Sequence, residues 1–167
     1  MGDKPVHKAT LTRRRNKARG DAFEKLVRAY LESIGWQVDK ARPTLKRFFN
    51  PRTQGIGYSS TQNDFWGVAD LIAVKPSKQY TLVIQCTLHT GYKLKRDKLE
   101  TINWNLDAQR VMIWTPDVRV GAKKYKTDMR VFWMRDYVKD DAGNRKGIWQ
   151  EHYIRLENGI APVTGLI

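Results

Sequence analysis

Two acidic side chains occupy places in the sequence where an ionised carboxylate needs a partner. Asp70 interrupts the apolar run 68–74 (VADLIAV), which predicts a buried strand. Glu24 borders the apolar stripe of a predicted helix, so it faces the sheet rather than solvent. A buried carboxylate costs free energy unless it is paired, hydrogen-bonded or bound to a cation. Because converging carboxylates at the edge of a core suit a hard cation such as Mg²⁺, we predict a metal site at Glu24 and Asp70.

Polar residues of the next strand extend this predicted site. Gln85 and Thr87 alternate along the run 81–87 (TLVIQCT) and therefore point to one face. The amide oxygen of Gln85 is a neutral ligand, weaker than a carboxylate for a hard cation. His89 follows closely in sequence, and we predict a hydrogen-bonding role for it rather than a catalytic one.

Each of these residues also has an ordinary explanation, which the sequence leaves open. Asp21 and Glu24 fit a capping box if the helix begins at Asp21. Asp70 fits an ion pair with a nearby Lys or Arg, and Gln85 fits a hydrogen bond at the end of a strand. Asp64, in the segment NDFWG, is predicted to be a turn residue rather than a ligand.

The balance of charge predicts a polyanionic partner. The chain has 167 residues, with 31 Lys and Arg against 17 Asp and Glu, which gives a formal net charge of +14. Nucleic acid is the expected partner, because each neutralised phosphate releases a counterion. The predicted phosphate contacts are Arg13, Arg14, Arg15, Lys17, Arg19, Lys46, Arg47, Arg52, Lys123, Lys124 and Lys126.

The positioning elements follow from apolar periodicity. Apolar residues at helical spacing between positions 23 and 34 predict a helix that ends at Gly35. A second helix is predicted over 93–106, and strands over 36–41, 68–74, 81–86, 110–115, 130–135 and 149–155. A long loop over 42–62 and a turn over 140–147 complete the prediction, which is an α/β fold with extra strands at the C-terminal end.

The loop and its neighbourhood carry aromatic residues with two possible roles. They could stack on unpaired bases or anchor the loop to the core. The residues are Phe48, Phe49, Tyr58, Phe65 and Trp66.

Length and composition bound the architecture. We interpret residues 1–19 as a basic N-terminal arm and residues 20–167 as one domain, with a plain solvated terminus as the alternative for the arm. No apolar run is long enough for a membrane span, and no apolar stretch follows the basic start as in a signal peptide. Cys86 is the single cysteine, which excludes an internal disulfide and a Cys-rich zinc site.

Three fragments resemble the core of the PD-(D/E)xK nuclease superfamily: 19–38 (RGDAFEKLVRAYLESIGWQV), 68–74 and 82–87 (LVIQCT). The resemblance covers about residues 17–90 and is strongest to archaeal-type Holliday-junction resolvases and their phage-encoded relatives. In that family a helix carries a Glu, one strand an Asp, and the next strand Glu-x-Lys. The positions here that match are Glu24, Asp70, and Gln85 with Thr87 two residues later.

Two positions depart from the family pattern. Gln85 stands at the usual Glu and can still offer an oxygen to a metal, whereas Thr87 removes the usual Lys. Either a lysine from elsewhere enters the site, with Lys93 and Lys95 nearest in sequence, or the site has lost activity and the fold only binds DNA.

The resemblance implies a restriction-endonuclease-like core: a central mixed β-sheet flanked by helices. It implies a structure-selective DNA endonuclease that cleaves four-way junctions as a homodimer and leaves a 5′-phosphate. Glu24, Asp70 and Gln85, with the backbone carbonyl of Cys86, would hold one or two Mg²⁺ or Mn²⁺ ions. A cytoplasmic protein without membrane contact, of cellular or viral origin, is expected. A nuclease of nicked, flapped or duplex DNA and a non-catalytic basic DNA-binding protein remain the alternatives.

Overall fold

The computed structural model describes residues 8–42, 44–52, 54–61, 64–88, 91–117 and 128–154. The helices in this part of the chain are α1 (Lys8–Ser33) and α2 (Tyr92–Glu100). The strands are β1 (Gln37–Lys40), β2 (Thr44–Asn50), β3 (Gly55–Thr61), β4 (Leu71–Val74), β5 (Thr81–Cys86), β6 (Gln109–Pro116), β7 (Met129–Lys139) and β8 (Arg145–Ile154).

Six strands form one mixed sheet in the order β1-β4-β5-β6-β7-β8. Strands β5 and β6 are parallel, and the other neighbouring pairs are antiparallel. The helix α2 connects β5 to β6, because a parallel pair needs a crossover rather than a tight turn. The prediction of an α/β fold with a mixed sheet and extra C-terminal strands is confirmed.

Helices cover the sheet on both faces. The central strand β5 shows this most clearly, because Leu82, Val83 and Ile84 are each 0% exposed although they point alternately to opposite faces. On one face, Leu82 and Ile84 belong to the core cluster that contains the apolar stripe of α1. On the other face, Val83 packs in the cluster of Leu99 from α2.

The end of α1 follows the sequence prediction. Gly35 has a φ of +87°, the left-handed conformation that glycine adopts at helix ends. The N–H of Gly35 donates to the Glu32 carbonyl and the N–H of Trp36 to the Leu31 carbonyl. Lys75 Nζ also donates to the carbonyl of Ile34, at 2.6 Å. These bonds fix where the chain leaves the helix and enters β1.

Residues 8–19, predicted as an arm, form the first turns of α1. Every side chain described between positions 10 and 19 is exposed. Their polar sequence has no apolar stripe because these turns pack against no core. Neither described helix has the length and apolarity to cross a membrane.

The segment 42–62 differs most from the prediction of a long loop. It contains the antiparallel hairpin of β2 and β3, paired from Thr44 with Thr61 to Asn50 with Gly55. Pro51, which contributed to the loop prediction, lies in the turn between the two strands rather than inside either of them. Of the aromatic residues, Phe49 and Trp66 are exposed and Phe65 is half-buried. The side chains of Phe48 and Tyr58 lie outside the part that the structure describes.

Other boundaries were predicted less well. The helix α2 ends at Glu100, although Ile102 and Leu106 still pack in the α2-side core from the irregular segment that follows. Strands β7 and β8 are longer than predicted and meet in a tight turn at Gly143, whose φ is +80°.

Candidate active site

A cleft of about 320 Å³ opens where the C-terminal end of β5 meets both helices. The helix α1 contributes one wall, and α2 with the segment before it contributes the other. The floor is the start of β4 and the end of β5. The lining residues are Lys17, Gly20, Asp21, Phe23, Glu24, Asp70, Gln85, Cys86, Thr87, Leu88, Gly91 and Lys95.

Asp70 lies at the floor of the cleft, just before β4 begins, and is 8% exposed. Its backbone N–H donates to the Ile84 carbonyl and its carbonyl accepts from Ala41, so the main chain at this point is fixed. Its Oδ2 accepts a hydrogen bond of 2.8 Å from the Cys86 N–H and a second one from the side-chain amide of Gln85. The sequence predicted a residue inside a strand, whereas the structure puts Asp70 at the strand's entry, beside the end of β5.

Burial dominates the acid–base chemistry of Asp70. It raises the pKa of this carboxyl from 3.8 to about 6, and the Cys86 hydrogen bond and the charge of Lys95 only partly oppose it. Asp70 forms no ion pair with the Lys and Arg residues that the structure describes. The ordinary explanation of a paired aspartate is therefore not met here.

Gln85 is 1% exposed and lies on the α2 side of the sheet with Val83. Its amide nitrogen donates to Asp70 Oδ2 and to the Cys86 carbonyl, at 2.9 Å for the latter. Because both partners are acceptors, the amide orientation is determined, and the carbonyl oxygen Oε1 must point away from them. This buried Oε1 has no hydrogen-bond partner among the described residues. Buried acceptors are usually satisfied, so Oε1 is a place where a cation or a donor is expected.

Glu24 is 7% exposed and reaches the cleft from α1. Its Oε1 lies 2.6 Å from Lys40 Nζ at the end of β1. This pair raises the pKa of Lys40, chiefly through the hydrogen bond to Glu24. The alternative of a capping box with Asp21 is wrong, because α1 begins at Lys8 and Asp21 lies well inside it.

Lys40 is a site residue that the sequence analysis missed. Little in the sequence indicated a role for Lys40, because a lysine at the end of a short, half-exposed strand is an ordinary surface residue. Only the antiparallel pairing of β1 with β4, in which Lys40 faces Leu71, brings it beside the acidic residues.

The two lysines proposed to replace the missing one are separated by the structure. Lys95 lines the cleft, and its charge acts on Asp70. Lys93 is exposed and lines a different groove with Arg96, Asp140 and Arg145. On α2, Lys95 therefore faces the cleft and Lys93 faces away from it.

Thr87 also lies in the cleft, immediately after β5. Its hydroxyl donates to the Leu88 carbonyl at 3.1 Å. A Cβ atom at Gly91 would come within 2.6 Å of this hydroxyl, so a larger residue at position 91 would force the Thr87 side chain to shift. The close approach brings the N-terminus of α2 to the cleft.

Of the remaining predicted residues, Lys17 lines the cleft, and the others lie outside the cleft or outside the part of the chain that the structure describes. Asp64 lies in the turn that precedes Asp70, where the Gly67 N–H donates to its backbone carbonyl. His89 and the lysines 123, 124 and 126 lie outside the described residues, as does the side chain of Lys46. The predicted phosphate contacts that are described, all exposed, are Arg13, Arg14, Arg15, Lys17, Arg19, Arg47 and Arg52.

The donor set is compatible with a divalent cation. No three His, Cys, Asp or Glu side chains group as metal ligands in the described part of the chain. A cation here would therefore need oxygens beyond carboxylates. The Cys86 carbonyl accepts from the same Gln85 nitrogen as Asp70 Oδ2, and Gln85 Oε1 would become a ligand beside Asp70 when the side-chain amide turns over. A cation would also favour the ionised form of Asp70, which burial alone disfavours. Burial raises the pKa of the Cys86 thiol, and a hard cation such as Mg²⁺ prefers oxygen to sulfur, so the oxygens are the expected ligands.

We expect Asp70→Asn to stabilise the metal-free protein at pH 7. Because the folded-state pKa of about 6 lies above the ordinary 3.8, ionisation of Asp70 opposes folding. The resulting loss in the free energy of unfolding is absent below about pH 4, grows as the pH rises to about 6, and is complete above that pH. It amounts to at most about 3 kcal/mol, since one pKa unit corresponds to about 1.4 kcal/mol.

Urea unfolding between pH 4 and pH 8, in a chelator, measures this effect. The free energy of unfolding of the wild type should fall relative to Asp70→Asn across pH 4–6. Asp107→Asn, at an exposed position outside the cleft, is the matched control and should follow the wild type. A constant difference between wild type and Asp70→Asn across this range would show that burial does not perturb Asp70.

Comparison with protein-family models, with curated proteins and with solved structures finds no match to this chain. The geometry of the cleft and the charge of the surface around it are therefore the basis on which its function is inferred.

Proposed function

We propose that this protein is a metal-dependent, structure-selective DNA endonuclease of the resolvase type, built on a restriction-endonuclease-like core. The observation that carries the proposal is the buried group of Asp70 and Gln85, with Glu24 beside it, at the floor of a cleft whose rim is basic. Acidic oxygens beneath basic residues suit a phosphodiester substrate, because phosphate is attracted and a cation can be held.

The order of elements supports the core assignment. The chain begins with the helix α1, continues through the sheet strands β1, β4 and β5, and then forms α2 and β6. The hairpin of β2 and β3 is inserted after β1. The resemblance places its Glu on the helix and its other residues on two consecutive strands. Here Glu24 lies on α1, Asp70 at the start of β4, and Gln85 at the end of β5.

Each residue has a distinct role in this proposal. Asp70, Gln85 and Glu24 would hold Mg²⁺ or Mn²⁺, which when bound supplies a water of lowered pKa and neutralises charge on the phosphate. Lys40 keeps the Glu24 carboxylate at the cleft through their ion pair. Lys95 brings a positive charge to the cleft, where it stabilises the extra negative charge of the transition state.

The basic turns of α1 supply a path for the DNA backbone. Arg13 lies one turn before Lys17, so both residues lie on nearly the same side of the helix, and Lys17 lines the cleft. Such contacts hold phosphates without reading sequence, which suits an enzyme selective for DNA shape. A four-way junction has two-fold symmetry, and its resolution needs two cuts by two active sites. We therefore propose a homodimer as the active form.

A non-catalytic DNA-binding protein is the second candidate. The absence of the family's lysine at Thr87 favours it, as does the replacement of the family's glutamate by Gln85. Cleavage of four-way-junction, flapped, nicked and linear DNA with Mg²⁺ or Mn²⁺ distinguishes the two candidates and identifies the substrate. A junction cut symmetrically, with 5′-phosphate ends, is the expected result.

Asp70→Asn should abolish cleavage and leave DNA binding intact. The variant loses the anionic ligand but adds no steric bulk, and removal of a negative charge does not weaken attraction to phosphate. Single-turnover cleavage and binding in a chelator measure the two properties separately. Wild-type cleavage by Asp70→Asn would show that the site is wrongly assigned.

Lys95→Ala should reduce the single-turnover rate by about 10² to 10³, with little effect on binding, because one preorganised charge contributes about this much. Lys93→Ala is the matched control, since Lys93 lies two residues away on the same helix but lines another groove. Thr87→Lys should partly restore cleavage to Lys95→Ala. Equal rates for Lys95→Ala and the wild type would contradict the assignment of Lys95.

Arg13→Ala should weaken DNA binding more than Arg15→Ala does. Both residues are exposed on α1, but Arg13 lies on the side of Lys17 whereas Arg15 lies about 160° from Lys17 around the helix. Loss of one phosphate contact should lower the salt dependence of binding to duplex DNA by about one unit of slope. Titrations at several salt concentrations measure this slope, and equal effects of the two substitutions would show that DNA does not follow this side of α1.

A further inference from the structure

A second group of basic residues lies at the opposite end of the sheet from the cleft. Tyr80 immediately precedes β5, and Arg110 lies near the start of β6. Trp133 and Arg135 lie on β7, where Trp133 pairs with Met112. We call these four residues the arginine–aromatic stack. Gln85 follows Tyr80 by five positions, which is about 17 Å along an extended strand.

The side chains of the stack alternate between cation and ring. The guanidinium of Arg110 lies 3.7 Å from the ring centroid of Tyr80 and 4.5 Å from that of Trp133. The guanidinium of Arg135 lies 4.0 Å from the same Trp133 ring. Stacking of this kind fixes the planar guanidinium group, so that less freedom is lost when it binds an anion.

The stack concentrates positive charge. Burial lowers the pKa of Arg110, and the like charge of Arg135 adds to this effect. The neighbouring His152, on β8, is also close enough for Arg135 to lower its pKa, after the larger effect of burial. Arg135 is exposed and pairs with no carboxylate among the residues that the structure describes.

A comparison within the same strand shows how the charge of Arg135 differs from that of a second stacked arginine. Arg130 of β7 also stacks on a ring, that of Phe132, but its charge is compensated by an ion pair with Glu151 of β8. Arg135 stacks in the same way and keeps its charge available to solvent. A fixed, exposed guanidinium next to a second cation is complementary to a phosphate group.

We propose that the arginine–aromatic stack is a second DNA contact, at which Arg135 binds a backbone phosphate remote from the cleft. The ligand class is the phosphodiester backbone, bound without regard to sequence. The contact does not require cleavage or a metal, so it stands independently of the proposed nuclease activity. In a branched substrate it would hold DNA about 17 Å or more from the site of chemistry, beyond the reach of Asp70 and Lys95.

Binding of labelled duplex and single-stranded DNA in a chelator, measured by fluorescence anisotropy, tests the proposal. Arg135→Ala should weaken binding roughly three- to tenfold, and Arg135→Glu should weaken it further. The slope of affinity with salt should fall by about one unit for duplex DNA. Lys139→Glu is the matched control, because Lys139 is exposed on the same strand but is not part of the stack.

The outcomes separate a binding role from a structural one. Unchanged affinity of Arg135→Glu would overturn the proposal, as would an equal loss in Lys139→Glu, which would indicate only overall charge. Loss of affinity that follows loss of folded protein in both Arg135 variants, measured by thermal unfolding, would show that the stack is structural. Arg135-dependent binding without any cleavage would refute the nuclease proposal alone, whereas Asp70-dependent cleavage with unchanged binding by Arg135→Glu would refute the second contact alone.

Discussion

The placement of one buried carboxylate organises this protein's candidate site. Asp70 is fixed by its main-chain bonds to the neighbouring segments, and its side chain accepts from the Cys86 N–H and from Gln85 at the end of β5. An ionised carboxylate in such a position is costly, and the raised pKa of Asp70 expresses that cost. Perturbed pKa values cluster at functional sites, and a bound cation would offset the cost of burying the ionised carboxylate.

The rest of the fold explains how the other groups reach Asp70. Both faces of β5 are buried, so α1 and α2 must lie on opposite sides of the sheet. Where β5 ends, the two helices can approach the same point from both sides, and Glu24 and Lys95 do so. The short strand β1 adds Lys40 through its pairing with β4. Five separate segments thus converge, although their residues are far apart in sequence.

Sequence periodicity predicted the elements that bury a regular pattern. The stripe of α1 from Phe23, its end at Gly35 and the bounds of β5 could be read directly, because packing against the sheet demands that spacing. The exposed first turns of α1 and the hairpin of β2 and β3 could not be predicted in this way, since their sequences carry little apolar periodicity. At the site, the cost of burial identified Asp70 and Gln85. The position of Lys40 beside Glu24 depends on strand pairing, and the different positions of Lys93 and Lys95 depend on the rotation of α2. The spacing of residues in the sequence determines neither.

In the proposed site, Asp70 and Gln85 together hold a divalent cation. Crystals of the protein soaked in Mn²⁺ test this directly, because the anomalous signal of manganese locates the ion without assumptions about its ligands. We expect an anomalous peak at the floor of the cleft, bonded to the Asp70 carboxylate and to Gln85 Oε1 of an amide turned over from its metal-free orientation, and absent from Asp70→Asn crystals. A cleft without a peak at saturating Mn²⁺, or a peak that persists in Asp70→Asn, would contradict it.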